Sequence, residues 1–333
     1  MPEKEQKTKN EHPETSMIPH IQVASSPHFA NPSLTTKRIM MDVLIALVPV
    51  IGMAIYFFRL YAVKQILICL ASCLLAEAIF MKIRKKPFSL FDCSAAITGL
   101  ILGLSLPGPA PWYVGVIGSF VAMGIGKVVF GGLGMNLFNP AMVGRAFVMI
   151  SFAGLVAASG YVDATSMVDA VSMATPLNAF KQSGTSTAIF DLFMGFTNGS
   201  PGEVSAIACI LGGLYLCIRR TVSWEIPVSL LGTVIIIGGL LDFLSPQEGW
   251  TLFHHLFGGA LLFGAFFIAT DPVTSPITPR GKFIFGVGTG ALVMLLRLFS
   301  GYPEGVMFAV LLMNAVTPLI NRWVPHKTLG AQY

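Results

Sequence analysis

The stretch GGLGMNLFNP at residues 131–140, with its counterpart ATDPVTSPITP at residues 269–279, decides the fold of this chain. Both stretches are rich in glycine or proline, and each borders long apolar segments. Within the membrane, glycine and proline interrupt a helix and leave backbone N–H and C=O groups without helical hydrogen bonds. Such groups are tolerated only where protein or a cavity provides other hydrogen-bond partners. One interruption in each half predicts an inverted repeat with a central site. The alternative is two ordinary proline-rich loops at helix ends.

The composition of the chain is that of a membrane protein. Its 333 residues are 54% hydrophobic and only 11% charged, and the mean hydropathy is +0.74. Soluble domains carry about 25% charged residues, so an ordinary soluble enzyme, a disordered chain and a nucleic-acid binder are excluded. The five cysteines form no CxxC pair. We interpret them as small buried hydrophobic residues rather than iron–sulfur ligands.

The apolar segments predict an all-α polytopic membrane protein with about ten transmembrane helices, each of about 20 residues. We expect these helices to form two inverted five-helix repeats with broken helices. The predicted spans are residues 39–58, 65–81, 94–106, 112–130, 138–158, 203–218, 225–243, 252–269, 283–299 and 305–321. The predicted domains are a polar tail (1–38), a first membrane half (39–158), a long loop (159–202), a second membrane half (203–321) and a C-terminal tail (322–333).

The distribution of basic residues predicts the orientation of the chain. With the N-terminus inside, 15 of the 21 Lys and Arg residues fall in inside segments and four in outside segments. Cytoplasmic loops carry an excess of Lys and Arg, so both termini are expected in the cytoplasm. The 159–202 loop is then outside. A loop of this length is usually functional or disordered.

Four ionisable residues in the membrane region are candidates for an ion pathway, because charges there are costly and usually functional. They are Asp42, Glu77, Arg145 and Asp271. Asp42 and Asp271 have an alternative interpretation as interfacial helix caps. Glu77 and Arg145 have an alternative role as a purely structural ion pair.

Three motifs closely resemble one known family. They are residues 131–141 (GGLGMNLFNPA), 271–276 (DPVTSP) and 301–305 (GYPEG), and the resemblance covers the chain from about residue 20 onward. The family is that of the D subunit of the Rnf electron transport complex, and the B subunit of the sodium-pumping NADH:quinone reductase is similar to it. The short polar N-terminus and Pro176 look more like the Rnf protein.

The resemblance implies a subunit that relays electrons between ferredoxin and NAD, with coupled translocation of Na⁺ or H⁺. Such a subunit is part of a translocase and is not catalytic alone. The alternatives are the B-type quinone reductase subunit, a solute channel or transporter without a redox role, and a scaffold that only holds redox partners. The implied location is the bacterial cytoplasmic (inner) membrane. The implied partners are the other subunits, including a second flavinylated subunit and iron–sulfur subunits, and no nucleic acid.

The sequence DAVSMAT at residues 169–175 resembles the family's flavinylation motif. In that motif an Asp, a Ser or Thr and an Ala precede the acceptor, which places Asp169, Ser172 and Ala174 before Thr175. The resemblance implies that a flavin transferase joins FMN through its phosphate to the Thr175 hydroxyl. The family usually has glycine where this chain has Met173. Formation of such a phosphoester requires an accessible hydroxyl with small neighbouring residues. Because the transferase is exported, the loop must also lie outside the cytoplasmic membrane.

Family members are also thought to hold a second, non-covalent flavin, riboflavin. We place it at Asn136 and Asn139, because asparagine amides match the donors and acceptors of an isoalloxazine edge. The glycines at 131, 132 and 134 permit close approach of a ring, although such glycines also serve helix packing alone.

Overall fold

The structure is a computed structural model that describes residues 35–85, 92–156, 160–161, 171–172, 175–244, 249–300 and 305–325. Most of the two predicted polar tails lies outside the described residues. So do Asp169 and Ala174 of the flavinylation motif.

The described part of the chain is built almost entirely from helices. The first half contains α1 (Thr36–Ile83), α2 (Ser94–Ser105), α3 (Trp112–Met123), π1 (Gly124–Val128), α4 (Pro140–Ser151) and α5 (Ala153–Val156). The intervening segment contains β1 (Gly160–Tyr161), β2 (Val171–Ser172), α6 (Pro176–Ser183) and α7 (Ile189–Met194). The second half contains α8 (Ala206–Ile218), α9 (Glu225–Leu244), α10 (Leu252–Phe257), α11 (Leu261–Phe263), π2 (Gly264–Ile268), α12 (Pro279–Phe299) and α13 (Val306–Trp323). The two short strands pair antiparallel.

Within the described residues, four helices are long and apolar enough to cross a membrane: α1, α9, α12 and α13. Helix α1 is 48 residues long, more than twice the length of about 20 residues that one crossing needs. It is interrupted at Arg59, whose φ of 48° and ψ of −126° are not helical. That break lies between the predicted spans 39–58 and 65–81. The all-α membrane class is therefore confirmed, while the ten-helix inverted repeat stays a prediction.

Both halves contain the same order of irregular elements. A short α-helix passes into a π-helical turn (π1 or π2), a non-helical segment follows, and the next helix starts at a proline. We call residues 129–139 the first broken segment and residues 269–278 the second broken segment. Proline suits the first helical position because its missing N–H needs no partner there. Asn139 and Thr278 cap the two new helices through their side-chain oxygens, as these residue types commonly do.

The predicted span over residues 252–269 is not one continuous helix in the structure. Gly258 is extended after α10 and Gly259 has a φ of 68°, so the chain turns before it enters α11 and π2. A residue with a side chain is strained at such a φ, whereas glycine is not. This turn brings α10 beside α7 and α9.

The helices pack through small residues. Helix α1 packs on α2, α3 and α8, while α12 packs on α9 and α13. At Gly212 of α8, an added Cβ would clash with the carbonyl oxygen of Ala46 in α1. Helices in membranes associate largely by such close van der Waals packing rather than by the hydrophobic effect. Glycine at 212 therefore sets the distance between α1 and α8.

Candidate functional site

A cavity lies between the two broken segments, and we call it the central cavity. It is lined by residues of both broken segments together with α1, α2, π1 and α8, and its volume is about 80 Å³. Its polar lining residues are Ser94, Thr98, Lys127, Asn136, Asn139, Thr221, Thr270 and Asp271. The sequence prediction of a site between paired interruptions therefore corresponds to a real cavity in the described residues.

Asn139 is a structural tie between the two halves. Its Oδ1 accepts from the backbone N–H groups of Ala141 and Met142 at the start of α4, and its Nδ2 donates to the carbonyl of Ile268 at 3.3 Å. Its backbone N–H donates to Oδ1 of Asn314 at 3.1 Å. Both ends of the Asn139 amide already have protein partners, so this side chain holds the cavity walls together.

The second broken segment is tied to α13 in the same way. Asn314 Nδ2 and Thr317 Oγ1 both donate to the carbonyl of Thr274, at 3.3 and 3.0 Å. Asn314 is fully buried. One buried amide on α13 thus connects the two broken segments and satisfies backbone groups outside the regular helices.

Asn136, in contrast, has an unused acceptor. Its Nδ2 donates to the carbonyl of Phe138 at 3.2 Å. Its Oδ1 is buried with no hydrogen-bond partner among the described residues. A buried polar atom without a partner costs about 1–3 kcal/mol. Of the two predicted asparagines, Asn136 is therefore the one whose amide remains open to a ligand in the central cavity.

The buried carboxylate of Glu77 pairs with Lys127. The Lys127 Nζ donates to Glu77 Oε1 at 2.5 Å and to Ser94 Oγ at 2.6 Å. Glu77 is 0% exposed and Lys127 is 2% exposed. The π-helical turn π1 places Lys127 against α1 and α2 and in the wall of the central cavity. Lys127 was not predicted as a site residue. A lysine inside an apolar span is by itself a reason to consider a residue functional, and this could have identified it.

Asp271 lies in the wall of the central cavity. Its carboxylate accepts from the backbone N–H of Val273 at 3.2 Å and from Thr274 Oγ1 at 3.1 Å. These bonds form a local turn of the kind that aspartate favours. Asp271 thus shapes the second broken segment and also faces the cavity.

Asp42 does not cap its own helix, because it is the seventh residue of α1. Its carboxylate accepts from Thr221 Oγ1 at 2.9 Å, Arg219 at 3.3 Å and Tyr215 at 3.4 Å. It therefore ties α1 to the C-terminal end of α8. Arg145 is buried on α4.

Thr175 is the residue that immediately precedes α6. Pro176 occupies the first helical position, and the Thr175 side chain makes no capping hydrogen bond. Its Oγ1 is buried with no hydrogen-bond partner among the described residues. The residue lines a small cavity of about 10 Å³ with Asn198 and Glu203, among others. The expected accessible hydroxyl is therefore buried in this conformation. Ser172 belongs to β2.

These features define the chain as a membrane protein with two broken helical segments around a cavity that has several polar side chains in its wall. Comparison with known proteins gives the particular family. The model of the NQR2, RnfD, RnfE family matches residues 22–330, so the chain belongs to this family.

The curated relatives cover nearly the full length of the chain. The chain is 40% identical to the D subunit of the Na⁺-translocating ferredoxin:NAD⁺ oxidoreductase complex of Acetobacterium woodii, over 93% of this chain and 96% of the relative. It is 41% identical to the D subunit of the proton-translocating ferredoxin:NAD⁺ oxidoreductase complex of Clostridium ljungdahlii, with the same coverage. The D subunit of the ion-translocating oxidoreductase complex of Stutzerimonas stutzeri is 40% identical over 89% of this chain and 92% of its own.

Proposed function

We propose that this chain is the membrane subunit of an Rnf-type complex that carries FMN on Thr175. In this role it relays electrons between ferredoxin and NAD⁺ while the complex translocates Na⁺ or H⁺. The observation that carries the proposal is the match to the D subunits of such complexes over more than 90% of the chain. It is joined by a Thr175 hydroxyl that has no hydrogen-bond partner in the described part of the chain. Its partners are the other subunits of the complex and a flavin transferase.

Thr175 can carry an esterified FMN only after its side chain turns out of the small cavity. A threonine before a helix commonly uses its oxygen as a cap, but this one does not. The small cavity around the hydroxyl has room for about one water molecule, and a phosphoester does not fit inside it. Flavinylation therefore requires the hydroxyl to rotate outward, and the bound FMN supplies one site of electron transfer there.

The test is substitution of the acceptor in cells that also express a flavin transferase. Thr175→Val should abolish the ultraviolet-fluorescent band on a denaturing gel, while the protein still inserts in the membrane. Thr185→Val is the matched control, because Thr185 is exposed in the same segment and its hydroxyl already pairs with Ser183. A fluorescent band that persists in Thr175→Val refutes the site. An absent band in the unchanged chain refutes the flavin role and favours a channel.

We place a second flavin, riboflavin, at the central cavity. The open Oδ1 of Asn136 supports this placement, since it can accept from a flavin N–H. The cavity at about 80 Å³ holds a few water molecules, so entry of a ring requires the broken segments to separate. Asn136→Leu should lower the flavin released by acid from the purified protein, and Thr175→Val should leave that fraction unchanged. If acid releases as much flavin from the Asn136→Leu variant as from the unchanged chain, the assignment of riboflavin to the central cavity is wrong.

The ion pathway is proposed to involve the carboxylates near the central cavity. Asp271 lines that cavity directly, and Glu77 reaches its wall through Lys127. Asp42, which lies on α1 and contacts the end of α8, and Arg145, which lies on α4, remain candidates. The coupling ion is Na⁺ or H⁺, because relatives of equal similarity are named for different ions. Vesicles containing the complex, assayed for ²²Na⁺ uptake with and without a protonophore, distinguish the two ions.

A further inference from the structure

Four polar side chains form a continuous hydrogen-bonded row from the start of α2 to the buried face of α1, and we call it the polar row. Ser94 Oγ donates to Asp92 Oδ1 at 2.6 Å, and Lys127 Nζ donates to Ser94 Oγ at 2.6 Å. Lys127 Nζ also donates to Glu77 Oε1 at 2.5 Å. Groups that exchange a proton lie within about 3.2 Å of each other, and all three contacts of the row meet this condition.

The polar row connects a half-buried group with a fully buried one. Asp92 is half-buried, whereas Ser94 is 6% exposed, Lys127 2% and Glu77 0%. Asp92 Oδ1 also accepts from the backbone N–H of Ser94 at 2.8 Å, which fixes the carboxylate at the start of α2. Asp92 is therefore the end of the row at which protons are exchanged with water.

The buried end of the polar row adjoins the central cavity. Ser94 and Lys127 line that cavity, whereas Glu77 does not line it in the described part of the chain. A proton in the cavity or at Asp92 therefore reaches Glu77 through Lys127. Because an uncompensated charge in a buried site is costly, a negative charge that enters the cavity favours the arrival of a proton in its wall.

The Ser94 hydroxyl is the element that neither a helix cap nor an ion pair requires. A cap needs only the Ser94 backbone N–H on Asp92, and the buried ion pair needs only Lys127 and Glu77. A hydroxyl can accept one hydrogen bond while it donates another, and Ser94 does both at once. It therefore joins two charged groups that would otherwise be separate structural features.

We propose that the polar row is a proton relay, which carries a proton from Asp92 to Glu77 when negative charge enters the central cavity. The proposal rests on the proposed function, which places a flavin in that cavity. It adds Asp92, Ser94 and Lys127 to the residues that act in ion movement, as groups that pass a proton rather than bind a substrate.

The relay moves one proton and no electrons. Lys127 Nζ first gives a proton to Glu77 Oε1, which leaves a neutral amine and a carboxylic acid. A protonated Asp92 then gives its proton to Ser94 Oγ, while the hydroxyl proton of Ser94 passes to Nζ. At the end Lys127 is again an ammonium group, Asp92 is a carboxylate, and Glu77 holds the proton.

Two other titratable groups lie nearby: Cys73 on α1 and Asp271 in the wall of the central cavity. Each is hydrogen-bonded to groups outside the polar row. The four members of the row are therefore the groups to test.

The first test removes the hydroxyl that joins the row. In the purified complex, Ser94→Ala should lower the rate of ferredoxin-dependent NAD⁺ reduction at least about tenfold, since a positioned proton-transfer group contributes about 10²–10⁴-fold. Ser94→Thr keeps a hydroxyl and should restore most of the rate. Ser105→Ala is the matched control, because Ser105 is 2% exposed on the same helix and its hydroxyl donates to the carbonyl of Leu102. FMN loading and subunit content are measured for each variant.

A second variant separates proton transfer from a structural role and decides alone if Ser94→Ala does not assemble. Asp92→Asn keeps an oxygen that accepts from Ser94 but cannot carry a proton. Its rate should fall, and added imidazole, a small proton carrier, should raise it several-fold without affecting Ser105→Ala.

The outcomes distinguish the relay from the function of the chain. A normal rate in Ser94→Ala, or a loss in Asp92→Asn that imidazole does not reverse, overturns the relay. If the unchanged complex is then active and loaded with FMN, the proposed function stands. An unchanged complex with no ferredoxin:NAD⁺ activity overturns both proposals.

Discussion

Removing one member of the buried Glu77–Lys127 pair should destabilise the protein strongly. The two side chains are 0% and 2% exposed and their charged atoms are 2.5 Å apart. Lys127→Met removes the Lys127 ammonium from the buried Glu77 carboxylate. Breaking a buried pair in this way costs about 3–5 kcal/mol, so we expect a loss of this size in the free energy of unfolding.

Removing both charges should restore most of that stability. Replacement of a buried ion pair by apolar residues of similar volume is often neutral or stabilising by about 1–4 kcal/mol. Ser94 loses a donor in the double variant Glu77→Met/Lys127→Met, but its hydroxyl still donates to Asp92 at 2.6 Å. Because both buried charges are then gone, the double variant should unfold close to the unchanged protein.

The assay is an SDS titration in mixed micelles, with helical content read by circular dichroism. The control is Arg219→Gln, which breaks the Asp42–Arg219 pair at 3.3 Å, in which the Arg219 side chain is 40% exposed. The Arg219 end of this pair is open to solvent although Asp42 is buried. We therefore expect a loss of only about 0–1 kcal/mol, because Asp42 keeps its bond from Thr221. The reasoning is refuted if Lys127→Met costs no more than Arg219→Gln, or if the double variant is as unstable as Lys127→Met.

The same double variant separates a structural role of Glu77 from a role in ion movement. If the stable double variant assembles into the complex and still translocates ions, Glu77 serves the fold alone. If translocation is lost while stability is kept, Glu77 and Lys127 belong to the pathway.

Further predictions concern packing and the ties between the broken segments. Gly212→Ala should lower the free energy of unfolding by about 1–3 kcal/mol, because the new Cβ would clash with the Ala46 carbonyl oxygen. The control is Gly232→Ala, because Gly232 has open space around it. This variant should be neutral or stabilising in the same SDS titration. Asn314→Leu should cost about 1–3 kcal/mol and expose the broken segments to proteolysis, since it leaves the buried backbone N–H of Asn139 unpaired. A proteolysis pattern identical to that of the unchanged chain would contradict the role of Asn314 as a tie.

Much of the fold follows from local sequence. A membrane helix makes all its backbone hydrogen bonds within its own segment. Each apolar span and each interruption can therefore be recognised from the residues of that segment alone. The start of α4 at Pro140 after Asn139 and the start of α12 at Pro279 after Thr278 are encoded by the residues themselves. The turn at Gly258 and Gly259 within residues 252–269 was not predicted. The mean hydropathy of the whole span is high, and it does not show that two glycines in the middle form a turn.

The candidate site was predicted only in part. The sequence predicted a site between the paired interruptions, and the structure has a cavity there whose wall includes Asn136, Asn139 and Asp271. It assigned the same role to both asparagines. In the structure the oxygen and the nitrogen of the Asn139 amide both have protein partners, whereas Asn136 keeps an open acceptor within the described residues. Which asparagine lacks a hydrogen-bond partner depends on where α13 packs, and the residues around each asparagine in the sequence do not indicate the position of α13.

The sequence by itself determined the membrane class and the family resemblance, and it predicted the approximate spans and the choice of Thr175. These are properties of composition, hydrophobic runs and contiguous motifs. Only the tertiary structure decided that Lys127 is the partner of Glu77, that the Thr175 hydroxyl is buried, and that Ser94 joins Lys127 to Asp92. The physical reason is distance along the chain. Hydrophobic burial specifies which segments enter the membrane, but a buried charge or donor finds its partner only after helices far apart in sequence have packed together.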